Sequence, residues 1–250
     1  MLNHPVMVFF PFSLIVMWLA ARIGLYFRGL RPLNEEEREE FGFVQAATLT
    51  LLGLIIGFTF SMSIGRYDQR KNYEEEEANA IGTEYLRVGL LPSAEAAKEQ
   101  ALLKKYLDLR ISFYSAGYGS ELRKIDADTA KLQAELWLPV QAAAASQPTP
   151  LMAVVVSGMN DVLNSQGYAQ AAWWNRIPIS AWCLMIIIAI LCNGLIGYGG
   201  RHANTKGKVI FILPLFVAIA FLLIADIDSP RGGLIRVGPQ NLLSLSQSLR

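Results

Sequence analysis

Between Arg66 and Glu77 the chain packs both signs of charge at short spacing: Arg66-Tyr67-Asp68-Gln69-Arg70, then an unbroken acidic run from Glu74 to Glu77. Repeated by symmetry about an axis, Arg66 and Arg70 would form a ring that favours anions. Glu74 and Glu77 would form one able to hold cations or to be held by arginine. In a single copy the same run is a solvated helix face. Asp226 and Asp228 stand two residues apart just ahead of Pro230. Two carboxylates at that spacing could contact a cation, and equally could cap and turn the chain. Upstream, Thr50, Leu54, Phe58 and Ser61 recur at spacings of four, four and three, which puts them on one helix face. Such a stripe could line a narrow constriction that gates by dewetting, or pack in a bundle. Gly53 and Gly57 form a small-xxx-small pair that lets two helices approach closely.

Other chemistry is missing from the sequence. It has no Walker-type phosphate loop, no metalloprotease histidine pair and no nucleophile elbow. Cys183 and Cys192 lie several turns apart on one apolar segment and cannot bridge each other. His4 and His202 are isolated near segment ends. No enzyme activity, metal or cofactor is therefore expected. Ionisable pairs of the kind that relay protons do not occur inside the apolar segments, which argues against a proton-coupled transporter. A net charge of +1 gives no pull toward nucleic acid.

The elements that must position these residues follow from composition. The chain is 53% hydrophobic and 17% charged, with a mean hydropathy of +0.33. Its apolar residues concentrate in four segments long enough to span a bilayer: 6–27, 43–64, 177–198 and 209–225. Each is read as a helix, because backbone polar groups in lipid must bond within the segment. The first lacks Lys or Arg at its extreme N-terminus and is too long for a signal peptide, so it is read as retained. Asn34 and Glu37 have capping-box spacing ahead of the second.

Residues 65–176 carry apolar residues at helical period: Leu102, Tyr106, Leu109 and Phe113; Leu122, Ile125, Leu132 and Leu136; Val155, Met159 and Val162. Breaks fall at Pro92-Ser93, Gly117 to Ser120 and Gln147 to Pro150, with Ser93 suited to an N-cap. About four amphipathic helices are expected there, the first continuous with the second span. Trp173, Trp174 and Trp182 read as interfacial anchors around the third span. The expected organisation is a first helix pair over 1–64, a helical insert over 65–176, a second pair over 177–225 and a tail over 226–250. Four spans put both termini and the insert on one side. Arg28, Arg31, Arg38, Arg201, Lys206 and Lys208 on the other nearly balance the basic residues of the first, so charge does not orient the chain.

These residues carry a family resemblance. The run "LLGLIIGFTFSMSIGRYDQ" resembles the second transmembrane helix of bestrophins. The stretches "EEANAIGTEYLR" (76–87), "LLKKYLDLRISFY" (102–114), "NRIP" (175–178) and "ADIDSPRGGLIRV" (225–237) are similar to the bacterial bestrophin-like domain family. The resemblance implies an all-α, four-helix membrane protein with a helical cytosolic insert. It implies both termini in the cytosol, the bacterial cytoplasmic membrane as location, and a ring of identical subunits, pentameric in bestrophins, about a central ion pathway. Partners would be its own copies, membrane lipid and inorganic ions, with no nucleic acid. Bestrophins conduct chloride in animals, and some bacterial relatives conduct cations. Their neck positions correspond here to Thr50, Leu54 and Phe58. Thr50 departs from the apolar pattern and Leu54 replaces an aromatic, so selectivity does not carry over. After the fourth span Asp226 and Asp228 give way to Arg231 and glycines, so a calcium clasp does not carry over either. A non-conducting scaffold or sensor, whose insert docks a partner, is the alternative reading of the same chain.

Overall fold

The long apolar runs and the amphipathic stretches form helices separated by turn residues, with the second run and the first amphipathic stretch sharing one helix. The computed structural model describes residues 5–200 and 209–250. His4, Arg201, His202, Lys206 and Lys208 lie outside the described residues. In order the chain forms α1 (Pro5–Leu30), α2 (Glu35–Arg87), a short 3₁₀ turn (Val88–Leu90), α3 (Ser93–Ser115), α4 (Ser120–Ser146), α5 (Pro150–Trp174), α6 (Ile179–Gly199), α7 (Val209–Asp228) and α8 (Gln240–Ser248). No strand occurs among the described residues. Among the described residues, four helical stretches are long and apolar enough to cross a membrane. The protein is an all-α membrane protein.

Local chemistry sets the helix ends. The Glu37 backbone N–H donates to Asn34 Oδ1 at 2.7 Å, and the Asn34 N–H donates to Glu37 Oε2 at 3.1 Å, the reciprocal pair its spacing predicts. From there α2 runs 53 residues, through its apolar stretch and on into charged sequence, without a break. At α3 the expected cap is displaced. Pro92 holds the N-cap position with no side-chain bond, and Ser93 is already helical. Gly119 precedes α4 at φ 131°, a backbone conformation that a side chain would strain. Thr149 caps α5 by accepting from the Met152 N–H at 3.2 Å, with Pro150 at the first helical position.

The chain divides into two compact units. Met1–Gly65 and Arg176–Ile235 make the first, which holds α1, the apolar part of α2, α6 and α7. Its helices α1 and α6 meet backbone to backbone. A Cβ on Gly24 would strike the Gly194 carbonyl, and one on Gly197 would strike the carbonyl of Ala21. Met17, Leu52, Met185, Ala189, Val217, Phe221 and Ile224 form its buried centre. Trp182 stands edge-on to Phe9 at 5.7 Å and to Phe221 at 6.1 Å.

Arg66–Asn175 and Arg236–Arg250 make the second unit, so the tail is shared between the two. Its core joins Ile81, Leu103, Tyr106, Leu107, Phe113, Leu136, Val155, Met159 and Val162. Trp173, read from sequence as an interfacial anchor, belongs instead to this core. It is buried with its ring 5.3 Å from Phe113 and 5.5 Å from Tyr114. Two aromatic partners on α3 take up its apolar face. Trp174 alone of that pair is exposed.

The α1–α6 crossing sets the first prediction. Gly197→Leu should force the two backbones apart at a cost of about 1–3 kcal/mol or more. That appears as a lower melting temperature of the detergent-solubilised protein. Gly167→Ala, at an open helical position, should leave the melt unchanged or raise it slightly.

Candidate functional site

Along its apolar stretch α2 rests on the first unit by one seam. Leu52, Thr59 and Ser63 are buried there. The opposite face is bare: Phe58 is 72% exposed, Leu54 is 54% exposed, and Thr50 and Ser61 are exposed with them. Nothing lies within 4 Å of where a Cβ would sit on Gly53 or Gly57. Only 6% of the apolar window of α2 is buried, against 28%, 28% and 39% for the other three spanning windows. Lipid tolerates bare Leu and Phe without cost, so apolar exposure alone is neutral. What marks this face is the coincidence of bulky side chains with glycines open to a close neighbour.

The hydroxyls on this helix are less informative than their number suggests. Thr48, Thr50 and Thr59 donate to the carbonyls of Val44, Ala46 and Ile55 at 2.7, 3.0 and 2.8 Å. Back-bonding to the preceding turn satisfies them with or without water beside them.

Beyond the span, the charges of α2 turn inward to the second unit. Arg66 Nη1 donates to Asn175 Oδ1 at 2.5 Å. Arg70 Nε donates to the Ala172 carbonyl at 3.1 Å, and its Nη2 to the Asn175 carbonyl at 3.2 Å. These are the free carbonyls at the negative end of α5. Glu74 Oε1 accepts the Asn241 and Leu242 backbone N–H groups at 2.9 and 3.0 Å, and Oε2 accepts Asn241 Nδ2 at 2.6 Å. Those N–H groups are at the positive end of α8. Glu77 accepts from Arg110 on α3 and from the Tyr114 hydroxyl at 3.1 Å. Both members of the Glu77–Arg110 ion pair are fully buried.

Arg110 also lies over the Phe113 ring, 4.3 Å from its centroid. Burial weakens its hold on a proton, but Glu77 and the facing tyrosines outweigh that and raise its pKa. Burial, and after it the Glu77 carboxylate, push the Tyr114 and Tyr106 hydroxyls well above the ordinary tyrosine range. Of the four residues read as mouth charges, Arg70, Glu74 and Glu77 are therefore inside the protomer, and Arg66 is partly covered. Sequence reasoning missed their partners Arg110, Asn175 and Asn241. A signal was available. The buried seam of the span, carried on at spacings of three and four, runs through Arg70, Glu74 and Glu77 to Ile81.

The carboxylates in the last turn of α7 are also occupied. Asp226 accepts the Leu234 N–H at 2.7 Å and the Ile235 N–H at 2.8 Å, one on each oxygen. Asp228 Oδ1 accepts the Ile177 N–H at 3.0 Å. Gly233 lies so close beneath that a Cβ would collide with the Asp226 carbonyl. The pair folds the chain where it leaves α7. Among the described residues, no group of three or more His, Cys, Asp or Glu is placed to hold a metal.

The bestrophin-like domain model matches residues 7–242. Three crystal structures of point variants of a bacterial bestrophin homolog from Klebsiella pneumoniae are similar to this chain. At 14%, 12% and 13% identity they give TM-scores of 0.69, 0.65 and 0.61. The matches cover 98%, 95% and 96% of this chain and 97%, 96% and 97% of theirs. At that identity the likeness is one of fold. No curated protein matches the chain.

The buried ion pair sets the second prediction. Arg110→Met leaves the Glu77 carboxyl enclosed without its partner, and should cost about 3–5 kcal/mol in unfolding free energy. Glu77→Leu combined with Arg110→Met should recover most of the loss in a thermal or denaturant melt.

Proposed function

The chain belongs to the bestrophin-like family, and on that premise we propose that it is an ion channel, a homo-oligomer in which α2 lines a central pathway. The observation that carries this reading is the bare face of α2. A spanning helix that its own protomer leaves almost uncovered, with open glycines beside bulky residues, is suited to packing against copies of itself. Five copies, as in bestrophins, would bring Thr50, Leu54, Phe58 and Ser61 to the axis. Gly53 and Gly57 would sit where neighbouring helices pass. Leu54 and Phe58 would then form an apolar constriction that a strongly hydrated ion crosses only by shedding water.

The charge at the pathway's entrance is assigned to exposed side chains of α2. Glu76 is exposed and lies about five turns beyond Phe58 in the same helix, hence on the same face. Arg70, Glu74 and Glu77 support the pathway indirectly, by holding α5, α8 and α3 to the helix that lines it. Asp226 and Asp228 act as chain caps rather than cation ligands. Membrane lipid surrounds the oligomer, which is placed in the bacterial cytoplasmic membrane with both termini and the insert in the cytosol. No sign of selectivity is assigned.

Reconstitution into liposomes with imposed chloride, sodium or potassium gradients tests the proposal. Flux should appear in at least one gradient, and Phe58→Ala should raise it severalfold by widening the constriction. A monomeric species in detergent that carries no ion in any gradient would sink the channel reading and favour a scaffold.

A further inference from the structure

The seam of α2 that buries Glu74 and Glu77 continues one more turn and buries Glu84, and here the pattern of pairing stops. Glu84 and Glu99 are 0% and 1% exposed, and none of their four carboxylate oxygens has a hydrogen-bond partner. Glu84 occupies the last turn of α2, where the helix end is negative and disfavours an anion. Glu99 enters from the second turn of α3, across the 3₁₀ turn that joins the two helices.

On the third side, α5 presents Gly158. A Cβ there would collide with Glu84 Oε2, so the fold leaves that volume to the carboxyl group. The charged groups around the pair are few. Arg87 of α2 lies beside the same glycine, but its ion pair is with Asp161 of α5, at 3.8 Å, on a partly exposed surface. Lys98 of α3 is exposed. Burial pushes Glu84 up to about 8, with Asp161 and Glu99 adding to the rise and Arg87 opposing it. Burial pushes Glu99 up to about 7, with Lys98 opposing. Both groups are therefore largely protonated in mildly acidic solution.

We propose that Glu84 and Glu99 form a proton-operated latch, which closes the α2–α3 turn against α5 while both carboxyls carry a proton and releases it when they ionise. The direction follows from linkage. A carboxyl whose proton is held more tightly in the folded protein than in the unfolded chain stabilises the fold most at low pH. That stability is lost as pH rises from the ordinary carboxylate value, 4.5, through about 7 and about 8. Above that range two mutually repelling carboxylates are buried with no hydrogen bond to either, and the cheapest relief is to let water in by opening the turn. The latch concerns the insert alone and does not depend on ion conduction.

Hydrogen exchange on the full-length protein in detergent, at pH 6 and pH 9 and corrected for the intrinsic rate, reads it directly. Protection of amides in 84–99 and 155–162 should fall by about tenfold or more in the wild type. Glu84→Gln with Glu99→Gln, which mimics the protonated pair, should hold its protection at both values. Glu75→Gln, exposed on the same helix, should behave as wild type. An infrared protonated-carboxyl band, present at pH 6 and gone at pH 9, should be missing from the Gln variant. Should that variant not fold, Glu84→Gln alone is read the same way. Wild-type protection that is equal at the two pH values, or no protonated-carboxyl band at pH 6, overturns the latch.

Discussion

A long helix that carries charge on its buried face can stand in a packed unit only if each charge finds an oppositely signed group there. In α2 three successive seam positions meet that requirement in three ways. Arg70 reaches the free carbonyls ending α5. Glu74 gathers the free N–H groups that open α8. Glu77 meets the guanidinium of Arg110 on α3. Each charge is opposite in sign to the helix end or side chain it meets. A slip of α2 by one turn would set a carboxylate against carbonyls in one direction, or a guanidinium against amide hydrogens in the other. The same interactions therefore fix register as well as adding stability, and register is the best-attested use of buried charge.

Glu84 shows by contrast what those partners contribute. It lies on the same seam, equally buried, and lacks a donor. The helix thus passes from fully paired carboxylates to an unpaired one within about two turns. A guanidinium and a phenol hydroxyl face Glu77. Glu84 favours the neutral form because little but packed surface faces it.

In the first unit the governing constraint is different. There α1 and α6 approach until glycine is the only residue that fits at the crossing, and α7 completes the packed centre. Lipid offers no hydrophobic drive for this, so contact of backbone surfaces has to supply it. The apolar part of α2 joins by one seam and leaves Gly53 and Gly57 unused within the protomer. Glycines retained on a bare face are what makes self-association the economical account of that face.

Much of the architecture was legible in the residues. The four spans, the Asn34–Glu37 cap, the breaks at Pro92, Gly117 to Ser120 and Gln147 to Pro150, and the unbroken passage of α2 from apolar to charged sequence all follow from local rules. Such features depend on neighbours within a turn or two, and a sequence contains those neighbours. The direction of the charges was not legible. Arg70 read as part of an axial ring, and Glu74 and Glu77 as a solvated face or a ring, because the groups that claim them, Ala172, Asn241 and Arg110, are 33 to 167 residues away along the chain. For the same reason Trp173 read as an interfacial anchor, and the Asp226–Asp228 pair as either a cation contact or a turn. The sequence by itself determined which segments are helices and where they stop, since hydrogen bonding and side-chain period are local. Only the tertiary structure decided which charged side chains are buried and what neutralises them, since that depends on which distant helix end arrives beside each one.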